Sequence, residues 1–226
     1  LTVNTTVNGG YTLTLNSTDA TTFAGIVGGS AAPTAITTNS GGTVVFNTTA
    51  ITSSGGQTYG ENATIGANIT FTTGGNNLTF SGTVNSVSST KTLDIVAGAG
   101  NTTFSGTVGG SEALGNTTIG TAVLTAGAIK VQGTLAITNS AESEIDGVIS
   151  DGDSAAILTK AGSAKLILSG NNTFTGAVTV NADAMSLGDA NTPIVLVANT
   201  TLNTGSAALT VNTTVNGGYT LTLNST

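Results

Sequence analysis

Residues 1–18, LTVNTTVNGGYTLTLNST, return letter for letter as residues 209–226, so the chain holds one period of 208 residues and the opening of the next. Such identity marks a duplicated unit. Self-similarity at a fixed period is the signature of repeat architectures, in which each unit buries its open ends against its neighbours. The expected organisation is a single solenoid segment over 1–226, with 1–208 as one tandem unit and 209–226 as the start of the next. Function is then to be sought along a long object rather than in a compact pocket.

A finer repetition runs inside the period. The pentads Phe23-Ala-Gly-Ile-Val27, Phe80-Ser-Gly-Thr-Val84, Phe104-Ser-Gly-Thr-Val108 and Phe174-Thr-Gly-Ala-Val178 share one pattern, and Ile145-Asp-Gly-Val-Ile149 is a worn copy of it. Residues 77–84 and 101–108 match at seven of eight positions with an offset of 24. Alternating segments precede several copies. In Tyr11-Thr-Leu13-Thr-Leu15 the apolar residues fall on one face and the threonines on the other, the pattern of a half-buried strand. Each pentad then reads as a corner, with the aromatic plugging the interior, Gly permitting the bend and Val opening the next strand. Phe23, Phe80, Phe104, Ile145 and Phe174 are therefore the expected core positions.

Composition limits the class. The chain has 47 Thr, 20 Ser and 32 Gly but only two Pro, and its apolar residues are mainly Val, Ile, Leu and Ala. β-Branched residues fit a pleated surface and lose rotamer freedom in helices, so the class is all-β. A hydrophobic fraction of 38% is too high for disorder. The longest unbroken apolar stretch, 194–198, is far short of the roughly 18 residues of a spanning helix. Aromatic girdles of a lipid-embedded barrel are also missing, with no Trp and three Tyr. No membrane contact is expected in this segment. The chain opens without Met and without a charged, apolar leader, so it reads as an internal or mature segment. A Cys-free β chain of this length suits an exported protein in which stray bridging is unwelcome.

Short strands joined by Gly and Asn corners at coil-length offsets predict a right-handed parallel β-helix of roughly nine to ten coils; right-handedness is the default for parallel crossovers. An antiparallel sandwich is the runner-up, but it does not call for corner pentads recurring at coil length.

Residues 143–182 carry a further pattern: Leu158-Thr159-Lys160, Gly162, Leu166, Leu168-Ser169-Gly170, Asn172-Thr173-Phe174-Thr175-Gly176 and Val180-Asn181-Ala182. This block resembles the passenger-associated repeat of bacterial autotransporters. It departs from that pattern at Ala164, at Ala177 and Val178, and at Asp183. The resemblance implies a right-handed β-helical passenger, displayed outside a Gram-negative cell by a barrel that lies elsewhere.

Catalytic chemistry has few parts to work with. Without His, Cys or Arg, nucleophilic triads, thiol catalysis and imidazole metal sites are excluded, and no enzyme is expected. The one enzymatic alternative is a glycosidase using paired carboxylates. Glu142, Glu144, Asp146, Asp151 and Asp153 cluster in a short stretch, and the first three alternate so that a strand would direct them to one face. Those five acids are also the candidate calcium ligands, since carboxylates on one face and Asp151-Gly152-Asp153 at a corner supply hard oxygens; a solvated acidic strip is the plainer reading. No other cofactor is expected. Four lysines against 11 acids give a net charge of −7, which excludes nucleic acid as a partner.

Twelve Asn-x-Ser/Thr sequons occur, at Asn4, Asn16, Asn47, Asn62, Asn68, Asn77, Asn101, Asn116, Asn171, Asn199, Asn212 and Asn224; corner geometry accounts for them without glycosylation. Thr-x-Thr pairs suggest an ice-binding face, but they are scattered rather than present on every coil. The expected function is that of a stalk or filament segment of a tandemly repeated bacterial surface adhesin, extracellular and displayed at the outer membrane. Its expected partners are neighbouring repeats and like filaments. A Thr-rich outer face recognising a glycan or host receptor is the alternative.

Overall fold

The computed structural model describes residues 1–88, 90–180, 184–187, 194–195, 200–205, 208–211 and 214–225. The chain is an all-β parallel solenoid of about eight turns, and no described residue is helical. That is slightly fewer turns than the nine to ten expected. Stacking offsets reach 24 residues, as between Leu78 and Thr102.

Strands of successive turns stack in parallel on one another, chiefly into three sheets of unequal length. The longest sheet has ten strands, from Thr12–Leu15 through Ala35–Thr38, Gln57–Tyr59, Leu78–Phe80, Thr102–Phe104, Leu124–Ala126, Ser143–Ile145, Leu166–Leu168 and Ala184–Leu187 to Ala208–Val211. Spatial order on this sheet equals chain order, which is what winding around one axis requires. A nine-stranded sheet runs from Ala50–Thr52 to Leu221–Ser225, and a five-stranded sheet from Thr2–Val3 to Val84–Ser86. The column that opens the five-stranded sheet continues as single bridges, Val84 to Val108 and Val108 to Ile129. Beyond that point two long strands, Ile129–Asn139 and Ile149–Ala161, turn the corner within themselves, with a register irregularity between Val131 and Gly133. Gly133 accommodates it at φ 102°.

The core follows from alternation. Strands such as Thr43–Phe46 and Leu78–Phe80 bury every second residue, and stacking sets these residues directly above one another. Leu15, Thr38, Tyr59, Phe80, Phe104, Ala126, Ile145 and Leu168 form one interior column of the long sheet. Tyr59 stacks on Phe80 and Phe80 on Phe104, with ring centroids 5.1 and 5.4 Å apart. Phe23 stacks on Phe46 at 5.4 Å, and Phe46 meets Phe71 edge to face at 4.9 Å.

Of the five expected core residues, Phe23, Phe80, Phe104 and Ile145 are buried, whereas Phe174 is only half-buried. Phe174 packs against the core from a position outside any strand and is only partly covered there. The pentads also make two different corners. After Phe80, Phe104 and Ile145 the chain passes from the long sheet to the column of Val84, Val108, Ile129 and Ile149. After Phe23 it passes from the five-stranded sheet to Val27, which bridges Ile51 of the nine-stranded sheet.

Pentad glycines serve close approach rather than unusual dihedral angles. Gly25, Gly82, Gly106, Gly147 and Gly176 are absent from the positive-φ glycines. A Cβ on Gly25 would lie 2.1 Å from the Thr5 carbonyl oxygen, and one on Gly82 2.5 Å from that of Glu61. The corner is tight because each coil rests on the backbone of the coil before it.

Candidate functional site

The acidic stretch is not gathered into a site. Glu142, Glu144 and Asp146 are all exposed, as their alternation predicts. Glu142 forms an ion pair with Lys165 at 2.8 Å, and Glu144 accepts a hydrogen bond from Ser169 Oγ at 2.8 Å. Asp151 instead clamps two coils together: Oδ1 accepts the Ala156 N–H at 2.7 Å, and Oδ2 accepts the Thr175 hydroxyl at 2.7 Å. Gln132 Oε1 accepts the Asp153 backbone N–H at 3.3 Å. Among the described residues no three acids are grouped so as to hold a metal ion. The calcium candidates are thus split between structural contacts and a solvated strip.

The outward side of the long sheet carries a pattern that scanning for Thr-x-Thr pairs misses. Thr14, Thr37, Thr58, Thr79, Thr103 and Thr125 are consecutive register partners on six adjacent strands. All six reach solvent, at half-buried or exposed positions, and neighbouring rungs sit about 4.8 Å apart. The pairs do not persist, since Thr12 has Ala35 above it, but the single column does. Glu144 stands on the seventh rung. The corresponding column of the nine-stranded sheet is broken by Asp94 and Ala136, and that of the five-stranded sheet by Val45 and Asn85.

Many sequon asparagines fasten one coil to the next. Asn62, Asn68, Asn77 and Asn116 each accept, through Oδ1, a backbone N–H of the following coil, from Thr83, Thr92, Asn101 and Thr134, at 2.9 to 3.1 Å. Three of these bonds, from Thr83, Thr92 and Asn101, satisfy N–H groups that lie outside the strands. Asn199 and Asn212 lie outside the described residues.

A groove of about 390 Å³ crosses the outer side of the nine-stranded sheet. It exists because Gly120, between Val96 and Thr138 in register, leaves the pleat without a side chain. Asp94 and Ser163 border it.

The interior holds polar groups that residue-type reasoning passed over. Tyr59 donates to Gln57 Oε1 at 2.9 Å, and Gln57 Nε2 donates to Ser53 Oγ at 3.0 Å and to the Thr72 carbonyl at 2.9 Å. Burial pushes the Tyr59 hydroxyl well above its ordinary pKa. Glu61 is buried and accepts from the Thr38 hydroxyl, while its second oxygen has no protein partner. Lys160 is fully buried, and its Nζ donates to the carbonyls of Ala161 and Gly162 at 2.7 and 3.1 Å. Strict alternation through Gln57, Tyr59, Glu61, Ala63 and Ile65 was the available signal.

Comparison with known proteins adds one match. Residues 158–182 fit the family model described as the passenger-associated-transport-repeat; no curated protein and no solved structure matches the chain. The matched stretch has a plain meaning in the solenoid. Leu158, Thr159 and Lys160 are the register partners of Val178, Thr179 and Val180, so the repeat is one complete coil that returns to the face it left. A passenger-associated-transport-repeat forming one turn of a parallel β-solenoid fits an autotransporter passenger β-helix.

Proposed function

We propose that this chain is a shaft segment of a long, tandemly repeated bacterial surface adhesin, held outside the cell at the outer membrane. The observation that carries the reading is the unbroken stack: the interior column from Leu15 to Leu168 and the parallel ladders on each face give a stiff rod that grows by adding coils. Its partners are neighbouring repeats of the same chain, with no nucleic acid and no membrane contact in this segment. Electron microscopy of proteins with one, two and three units tests this. Each added unit should lengthen the rod by about 40 Å at a rise near 4.8 Å per coil; particles of constant length would refute it. Protease shaving of intact cells tests display, since a shaft outside the cell is cleaved and one inside is protected.

The groove over Gly120 favours a second reading, a glycan- or receptor-binding face. Binding on a glycan array that disappears with Asp94→Asn would support it. Catalysis and a bound cofactor are not part of the proposed function. Polysaccharide turnover abolished by Glu144→Gln, or a calcium-dependent rise in melting temperature lost with Asp151→Asn, would contradict those two assignments.

A further inference from the structure

We infer that successive units of 208 residues are rotated against each other by about one third of a turn around the rod axis, so that the shaft carries each surface feature on three sides in turn and repeats only after three units. This rests on the reading of the chain as a shaft segment of a tandem array. Where strands occupy all three faces, the chain visits them in a fixed order: Gln57–Tyr59 on the long sheet, Asn62–Ile65 on the five-stranded sheet, Ile69–Thr72 on the nine-stranded sheet, and the long sheet again at Leu78–Phe80.

The two copies of residues 1–18 occupy different points of that order. In the first copy Thr2–Val3 lies on the five-stranded sheet, Val7 bridges Val27, which bridges Ile51 of the nine-stranded sheet, and Thr12–Leu15 lies on the long sheet. In the second copy Thr210 and Val211 lie on the long sheet. Val215 pairs with Ile194, whose strand follows Ala184–Leu187 of the long sheet and precedes Thr200–Gly205 of the nine-stranded sheet, the place that the five-stranded sheet holds on earlier turns. Leu221, Thr222 and Leu223 lie on the nine-stranded sheet. All three positions have moved back by one face, and their order is kept. A local slip would displace one strand and leave the others, whereas a common displacement is a rotation of the whole segment. One period is therefore a whole number of turns less one third.

The faces can exchange because a coil requires little of the one beneath it: a parallel backbone ladder and side chains that alternate inward and outward. The Thr-Leu alternation pairs in register on the long sheet in one copy and on the nine-stranded sheet in the other. The pentads likewise turn different corners after Phe23 and after Phe80. With the same sequence in every unit the same rotation applies at every junction, and a repeated rotation with translation generates a screw. The groove over Gly120 then faces three directions in turn, in steps of about 120°, and two grooves on one side lie three units apart. A receptor approaching the shaft from any side meets a copy of it.

Electron microscopy of a protein of four units, with Thr58→Cys and the equivalent substitution in each unit, tests the rotation. Thr58 is exposed on the long sheet, and the chain contains no other Cys, so each unit takes one biotin-maleimide and then one monovalent streptavidin. The labels should step around the rod by about 120° per unit in one sense, with the fourth above the first. Rods whose labels line up along one side, or step by any other angle, would overturn the inference and leave the shaft reading in place; particles that are not rods would overturn both.

Discussion

Among individual residues, the aromatic stack sets the largest local differences. Phe46 touches Phe23, Tyr59 and Phe71 with ring centroids at 5.4, 5.0 and 4.9 Å, whereas Phe104 meets one ring, that of Phe80. Phe46→Ala and Phe104→Ala should each cost about 3–5 kcal/mol, with Phe46→Ala the more severe because it empties the centre of the cluster. Phe174→Ala should cost less than either, since Phe174 is only half-buried. Denaturant unfolding of the three variants ranks them. Tyr59 couples the same region to pH. Its pKa is raised in the folded state above the ordinary 10.0 by burial, so the folded protein holds this proton more tightly than the unfolded chain. Its contribution is complete below about pH 10 and is lost as pH rises toward the folded value. Tyr59→Phe should lower stability at neutral pH by about 1–3 kcal/mol, through the unsatisfied Gln57 oxygen. It should also flatten the fall in stability expected in melts as the pH rises above about 10.

Corners decide the behaviour of the elements. Gly82→Ala sets a methyl 2.5 Å from the Glu61 carbonyl oxygen and should destabilise by about 1–3 kcal/mol. Gly10 has nothing within 4 Å of the corresponding point, so Gly10→Ala should be neutral or stabilising by up to about 1 kcal/mol. Thermal melts of the pair separate crowding from glycine's freedom of dihedral angle. Asn77→Ala removes the Oδ1 clasp on the Asn101 N–H and should cost about 0.5–1.5 kcal/mol. The strand–corner rhythm was legible because a large apolar residue stands two positions before each pentad Gly, and Phe23, Phe80, Phe104 and Ile145 in that position are buried. Two things were not legible. The pentads look alike although they turn different corners, because a corner needs only an inward residue, room for backbone contact and a new strand, whichever faces it joins. The hydroxyl ladder was hidden because offsets along it vary from 21 to 24 residues, so no fixed period in the sequence reveals it. Gln57, Glu61 and Lys160 were passed over because polar residue types suggest solvent, while the pleat alone fixes where they point.

For the whole molecule, the two identical segments occupy different faces. Thr2–Val3 pairs in the five-stranded sheet, while the matching residues Thr210 and Val211 pair in the long sheet; Thr12–Leu15 lies in the long sheet, while Leu221, Thr222 and Leu223, which match Leu13, Thr14 and Leu15, lie in the nine-stranded sheet. A period of 208 residues is therefore not a whole number of coils in this structure, and the Thr-Leu-Thr-Leu segment alternates well enough to serve on either face. Whichever face a segment takes, the central claim is that every coil stacks in register along one axis. Pairs of spin labels test it most directly, because the chain contains no Cys and labelled cysteines can be placed at Thr14 and, in turn, at Thr37, Thr58, Thr79, Thr103 and Thr125. The account predicts a distance from Thr14 that grows linearly, by about 4.8 Å for each successive rung; distances that rise and fall along the series would contradict it.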